Sequence, residues 1–236
     1  MNWLPGKERS QATVSEMVAL AGVLFSVLFL SGLVLIRWVV PADPTESGAW
    51  LADPGRRGSV RFALNLMPFS GVAFLWFMAV LRHRIGVLED RLFATVFLGS
   101  GLLFVATLFA SSAVASGLLE TFGVEGGLST ERVAYAIGRR TCYVLMNVYS
   151  VKMAAVFMFV TSSIGLRTTR FPRWLTYVGF IVGLVLLLEI SDFAWIAIVF
   201  PVWVLLVSAY LLVTGCADRR KSVKTATASG TVPTNP

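Results

Sequence analysis

The sequence predicts an all-α integral membrane protein, a bundle of six transmembrane helices with both chain ends in the cytoplasm. Three observations predict it. Of 236 residues, 56% are hydrophobic and only 14% are Asp, Glu, Lys or Arg, against about 25% charged residues in an ordinary soluble domain. The apolar residues come in uncharged runs, such as Val18 to Ile36, and a bilayer needs roughly 20 such residues per helix. Charged stretches bearing Pro and Gly separate the runs, as loops between helices require.

Residues 1–15 form a short polar segment with Lys7, Glu8 and Arg9. Residues 16–216 form the transmembrane domain. Its first span is 18–40, ending at Arg37 and Trp38. This run is too long for a signal-peptide core and lacks a small-residue cleavage site, so it reads as an uncleaved helix. Residues 41–61 contain Asp43-Pro44, Asp53-Pro54 and Gly55 and read as a loop. The second span is 62–81, followed by the charged link Arg82 to Arg91. The third span is 92–118. A second polar loop, 119–134, carries Glu120, Glu125, Gly126-Gly127 and Glu131. The helix after Thr130 starts outside the membrane and enters it near Cys142, giving a fourth span of 142–166. Arg167, Arg170, Pro172 and Arg173 make a basic turn. The fifth span, 174–190, and the sixth, 193–215, meet at Ser191-Asp192. The tail, 217–236, is basic and then rich in Ser, Thr, Gly and Pro, and is expected to be disordered.

Basic residues set the orientation. The terminal segments and the links on their side carry 12 Lys/Arg, and the opposite loops carry 7. The excess places both ends in the cytoplasm. Trp38, Trp174 and Trp195 then fall near the interfaces, where aromatic residues collect. Arg outnumbers Lys 16 to 4, which fits a bacterial source, and the expected location of a multi-pass protein of this kind is the cell (plasma) membrane.

The same counts limit the chemistry. There is one histidine, His83, and there are two cysteines, Cys142 and Cys216. A bis-histidine haem or a four-cysteine metal site cannot be built from that stock, so no cofactor and no metal is expected. Cys142 and Cys216 fall on opposite faces, and a disulfide cannot cross a core ~30 Å thick. The net charge of +7 reflects topology rather than nucleic-acid binding. The expected partners are the lipid bilayer and a further copy or other membrane subunits. Gly99-Ser100-Gly101 has no histidine in any span to activate its serine, and no Gly-rich phosphate loop is present. The sequence favours a non-enzyme and assigns no catalytic residue, with an enzyme acting through the outer-face carboxylates Glu120 or Glu125 as the open alternative.

The candidate polar site within the membrane comprises Lys152, Glu189, Asn147, Asn65 and Ser150. Lys152 lies about ten residues into the fourth span, ~14 Å deep at 1.5 Å per residue. A lysine there costs ~2.5–3.5 kcal/mol to insert and should face a partner or water. Glu189, on the neighbouring fifth span, is the expected partner. Asp192 in the following turn is the second choice. Lys152 is therefore read either as half of a structural ion pair or as a binding or proton-coupling site. Pro68 and Pro201, with the amides and Ser150, gather at similar depth and read either as a cavity open to the outside or as ordinary residues of membrane helices whose neighbours satisfy the freed groups. Gly179-x-x-x-Gly183 and the small residues from Gly99 to Gly117 read as packing surfaces. A shift of 82 residues superposes Asn65 on Asn147, Arg91 on Arg173 and Gly101 on Gly183, a weak parallel repeat.

The stretch FPRWLTYVGFIVG, Phe171 to Gly183, resembles small uncharacterised bacterial polytopic membrane proteins that carry Pro-Arg-Trp-Leu before a Gly-containing span. The resemblance implies a bundle of several helices and no activity. The expected role is that of a non-enzymatic structural or interaction subunit. The alternative is a small-solute transporter or channel using the Lys152 region.

Overall fold

The computed structural model describes residues 5–40, 49–85, 91–122, 129–168, 172–188 and 196–229. The described residues are almost entirely helical, and no strand occurs among them. The helices are α1 (Pro5–Val39), α2 (Pro54–Ile85), α3 (Arg91–Phe122), α4 (Ser129–Val144), α5 (Val151–Thr168), α6 (Arg173–Leu188) and α7 (Val199–Ser229). A π-helical turn, Leu145–Ser150, joins α4 to α5 in one continuous rod. Short 3-10 helices, Ala49–Ala52 and Ile196–Ile198, precede α2 and α7.

Five of these segments are long and apolar enough to cross a membrane: Ala19–Val39, Pro54–Arg82, Leu92–Thr121, Val133–Arg167 and Ile196–Thr214. The sixth, α6, has 16 residues. At 1.5 Å per residue it is ~24 Å long, shorter than the ~30 Å apolar core of a bilayer. All six predicted spans are thus present as helices, and one of them is short. Several helices outrun their predicted bounds. Pro54 starts α2 eight residues before Phe62, because Pro is pre-organised for the first helical turn and the Asp53 side chain accepts the Gly55 N–H at 2.9 Å. Helix α7 runs on to Ser229, into the tail expected to be disordered. The segment after Gly215 is rich in Ala, Lys and Arg, which favour helix, and holds no Pro or Gly before Gly230. The expected links at 86–90, 123–128 and 189–195 lie outside the described residues.

Aromatic packing sets the centre. Helices α1, α2, α3, α5 and α7 each contribute a phenylalanine around Phe74, which is fully buried. Its ring centroid is 5.0 Å from Phe25, 5.0 Å from Phe104, 5.2 Å from Phe157 and 5.7 Å from Phe200. Edge and tilted geometries of this kind suit the aromatic quadrupole. With little hydrophobic drive between helices in lipid, close fit holds the bundle together. At Gly22 a Cβ would collide with Ser208 Oγ and come within 2.8 Å of the Phe77 ring, so glycine lets α1 meet α2 and α7. Gly179 likewise lies against Ser162 and Trp203, which carries the packing role read for the Gly179-x-x-x-Gly183 motif. Ser26 Oγ lies 2.8 Å from the Gly22 carbonyl and 2.9 Å from the Pro201 carbonyl, tying α1 to α7.

A second apolar cluster forms apart from this core. It comprises Trp50, Leu51, Val60, Leu64, Leu119 and Tyr135. These residues lie where α1 ends, α2 begins, α3 ends and α4 begins, at the end of the bundle opposite Pro5 and Ser229.

Candidate functional site

The interval between the two apolar clusters is a cavity of about 420 Å³, within the range of small-molecule sites. Leu33, Met67 and Leu108 of the main core form its floor, and the second cluster forms its far wall. Among the described residues, α1 to α4, with Val40, the 3-10 helix Ala49–Ala52 and part of the π turn, line it. The wall on the α4 side runs from Tyr135 to Asn147, ~18 Å along the helix axis.

Fixed contacts shape this wall. Ser111 Oγ donates to the Cys142 carbonyl at 3.0 Å, and Cys142 Sγ lies 3.5 Å from the Ser111 carbonyl. This reciprocal pair locks α3 to α4. Trp50 Nε1 donates to Tyr135 Oη at 3.3 Å, joining the 3-10 helix to α4 across the far end. Arg61 Nη2 meets Glu120 Oε1 at 2.7 Å on the outer surface, clasping the start of α2 to the end of α3.

The lining combines apolar area with one sign of charge. Arg37, Arg139 and Arg140 line the cavity, and none of the described residues lining it is Asp or Glu. Arg140 lies 5.7 Å from the Tyr143 ring centroid, a cation–π arrangement. At the inner end, the π turn places Asn147 on the wall. Asn147 Nδ2 donates to the Tyr143 carbonyl at 3.1 Å, whereas its buried Oδ1 has no hydrogen-bond partner among the described residues. Single π turns inside α-helices are frequent at functional sites.

Of the five residues of the sequence-derived site, the four that are described, Asn65, Asn147, Ser150 and Lys152, occupy different surroundings. Asn147 lines the cavity. Ser150, three residues on, is buried, with its hydroxyl unpartnered among the described residues. Asn65 and Pro68 are exposed on the outer face of α2, so Asn65 and Asn147 occupy unlike environments despite their match in the 82-residue shift. Glu189 and Asp192 lie outside the described residues. Lys152 turns to α6: its ammonium donates to the Leu187 carbonyl at 2.6 Å and the Leu186 carbonyl at 3.2 Å. These are carbonyls of the last turn of α6, which have no intrahelical donor, and a cation there also complements the helix dipole. Lys152 thus sits level with the end of α6, 15 residues beyond Arg167 along the rod, or ~22 Å.

Sequence reasoning missed Arg37, Arg139, Arg140, Trp50 and Tyr135 as a group. The three arginines entered it only as topology markers. Their amphipathic setting was available, since Arg139-Arg140 alternate with Tyr135 and Tyr143 of α4 and Met146 of the π turn on neighbouring turns. Among the described residues, no group of three His, Cys, Asp or Glu side chains is placed to hold a metal ion.

Comparison with known proteins finds no match, whether to a family model, a curated protein or a solved structure.

Proposed function

We propose that this chain is a non-enzymatic multi-pass protein of the plasma membrane that holds a small ligand in the cavity between α1 and α4. The observation that carries the reading is the cavity itself, about 420 Å³ between two separate apolar clusters. With both termini cytoplasmic, as the basic-residue excess favours, the cavity belongs to the outer half of the protein. A role as the ligand-holding subunit of a larger membrane assembly agrees with this arrangement. The alternative of solute transport through the Lys152 region has less support, because Lys152 is engaged with the end of α6.

Filling the cavity tests the proposal. Ala115 lines it, and Ala115→Trp would occupy its volume. Gently purified protein should carry a small molecule at near one per chain by native mass spectrometry. The Ala115→Trp protein should fold and lack that molecule. Equal retention by both would show that the cavity is not the site.

A further inference from the structure

We infer that the occupant of this cavity is an uncharged hydrocarbon chain, admitted from the bilayer between α1 and α4; the inference rests on the cavity being a ligand site. The polar groups of the wall are already served by the protein. Ser111 Oγ donates to the Cys142 carbonyl, and Ser112 Oγ donates to the Leu108 carbonyl at 2.9 Å. Trp50 Nε1 donates to Tyr135 Oη. Arg37, Arg139 and Tyr143 each engage another group of the chain, and Arg140 is exposed beside the Tyr143 ring. The orphan Oδ1 of Asn147 is itself buried, so a guest in the open volume does not reach it. A polar guest would exchange its hydrogen bonds to water for a wall whose polar groups are engaged, which is costly. A hydrocarbon gives up no such bonds and gains dispersion contacts with Leu64, Met67 and Leu118 of the lining.

The cavity begins inside the membrane and ends beyond it. Arg82 and Arg167 close two of the apolar segments at the same end of the bundle. Met67 of the floor lies 15 residues from Arg82, ~22 Å at 1.5 Å per residue, within an apolar core ~30 Å thick. Tyr135 of the far wall lies 32 residues from Arg167 along the rod, ~48 Å, past the opposite boundary. Among the described residues, α1 packs on α2, α2 on α3 and α3 on α4, whereas α1 and α4 face each other across the cavity without packing closely. A lipid chain therefore meets an apolar opening at the level of the floor and can rise along the ~18 Å of wall toward Trp50.

Trp50 is bonded to Tyr135, beyond the reach of chains that stay in the bilayer, so it reports a chain that has entered the cavity. The full chain is placed in nanodiscs of phosphatidylcholine brominated midway along its acyl chains, or in plain nanodiscs with an added bromoalkane. The Trp50 signal is isolated by difference from Trp50→Phe, because the chain has seven tryptophans. The brominated lipid should remove most of the Trp50 emission. Ala115→Phe, or the milder Ala115→Leu, should restore it by filling the cavity. Quenching by the bromoalkane alone would uphold the apolar guest and assign it to a free hydrocarbon. Quenching that persists in both filled variants would overturn the inference, because bromine would then reach Trp50 by another route. Absence of quenching by either probe, with a small molecule still bound at near one per chain by native mass spectrometry, would overturn the hydrocarbon while leaving the ligand site standing. Absence of both quenching and bound molecule would overturn this inference and the ligand site together.

Discussion

Lys152 Nζ lies 2.6 Å from the carbonyl oxygen of Leu187, the penultimate residue of α6. The lysine therefore completes a helix that is too short to reach across a bilayer alone. Replacing it with Met leaves the Leu186 and Leu187 carbonyls without this donor. Hydrogen bonds involving a charged group contribute about 1.5–3 kcal/mol, so Lys152→Met should lower the thermal stability of the detergent-purified protein by an amount of that order. Ligand occupancy of the cavity should persist in the folded fraction. An unchanged melting temperature would show that the lysine does not hold α6.

Glu189 follows that same last turn by one residue. If the charge pair expected from the sequence forms, Lys152→Met and Glu189→Gln are coupled. The double variant should then recover roughly 1 kcal/mol relative to the sum of the single losses. Additive losses in denaturation would mean that Lys152 serves the α6 carbonyls independently of Glu189.

Phe74 joins rings from four other helices, so its removal opens a void that no single neighbour can fill. Phe74→Ala should destabilise the bundle by about 3–5 kcal/mol, the range for large buried aromatics in proteins. Phe74→Leu should lose less. The comparison is made by thermal unfolding monitored through circular dichroism, and equal losses would deny the ring a special place.

Gly22 sets two effects in opposition. Alanine improves helix propensity by about 1 kcal/mol over glycine. The new methyl, however, meets the fully buried Phe77 ring and Ser208, and overpacking costs about 1–3 kcal/mol. Gly22→Ala should therefore destabilise on balance. A rise in melting temperature would show that α1 stands further from α2 and α7 than the close contact at Gly22 implies.

The helices were legible because bilayer thickness writes itself into uncharged runs. Arg82 and Arg167 close two of those runs, whereas the apolar segment of the fourth rod begins at Val133, ahead of the entry read at Cys142. The span read for α6, 174–190, was already short, and what the sequence did not disclose is that Lys152 reaches the Leu186 and Leu187 carbonyls. The place of the cavity was only partly legible. Asn147 pointed to it, whereas Asn65 and Pro68 turn outward on α2, and helical phase within an almost uniformly apolar run gives little signal of which face is inward. Arg37 lies a hundred residues before Arg139 and Arg140, and the three come to line one cavity only through the packing of α1 on α2, α2 on α3 and α3 on α4.

Ala136 offers the most direct test that the cavity opens at the outer end of the bundle. It lines the cavity and is exposed. In a background of Cys142→Ser and Cys216→Ser, Ala136→Cys should react with a membrane-impermeant thiol reagent applied to intact cells. Reaction only after the cells are opened would contradict the outward-facing cavity and the orientation on which it rests.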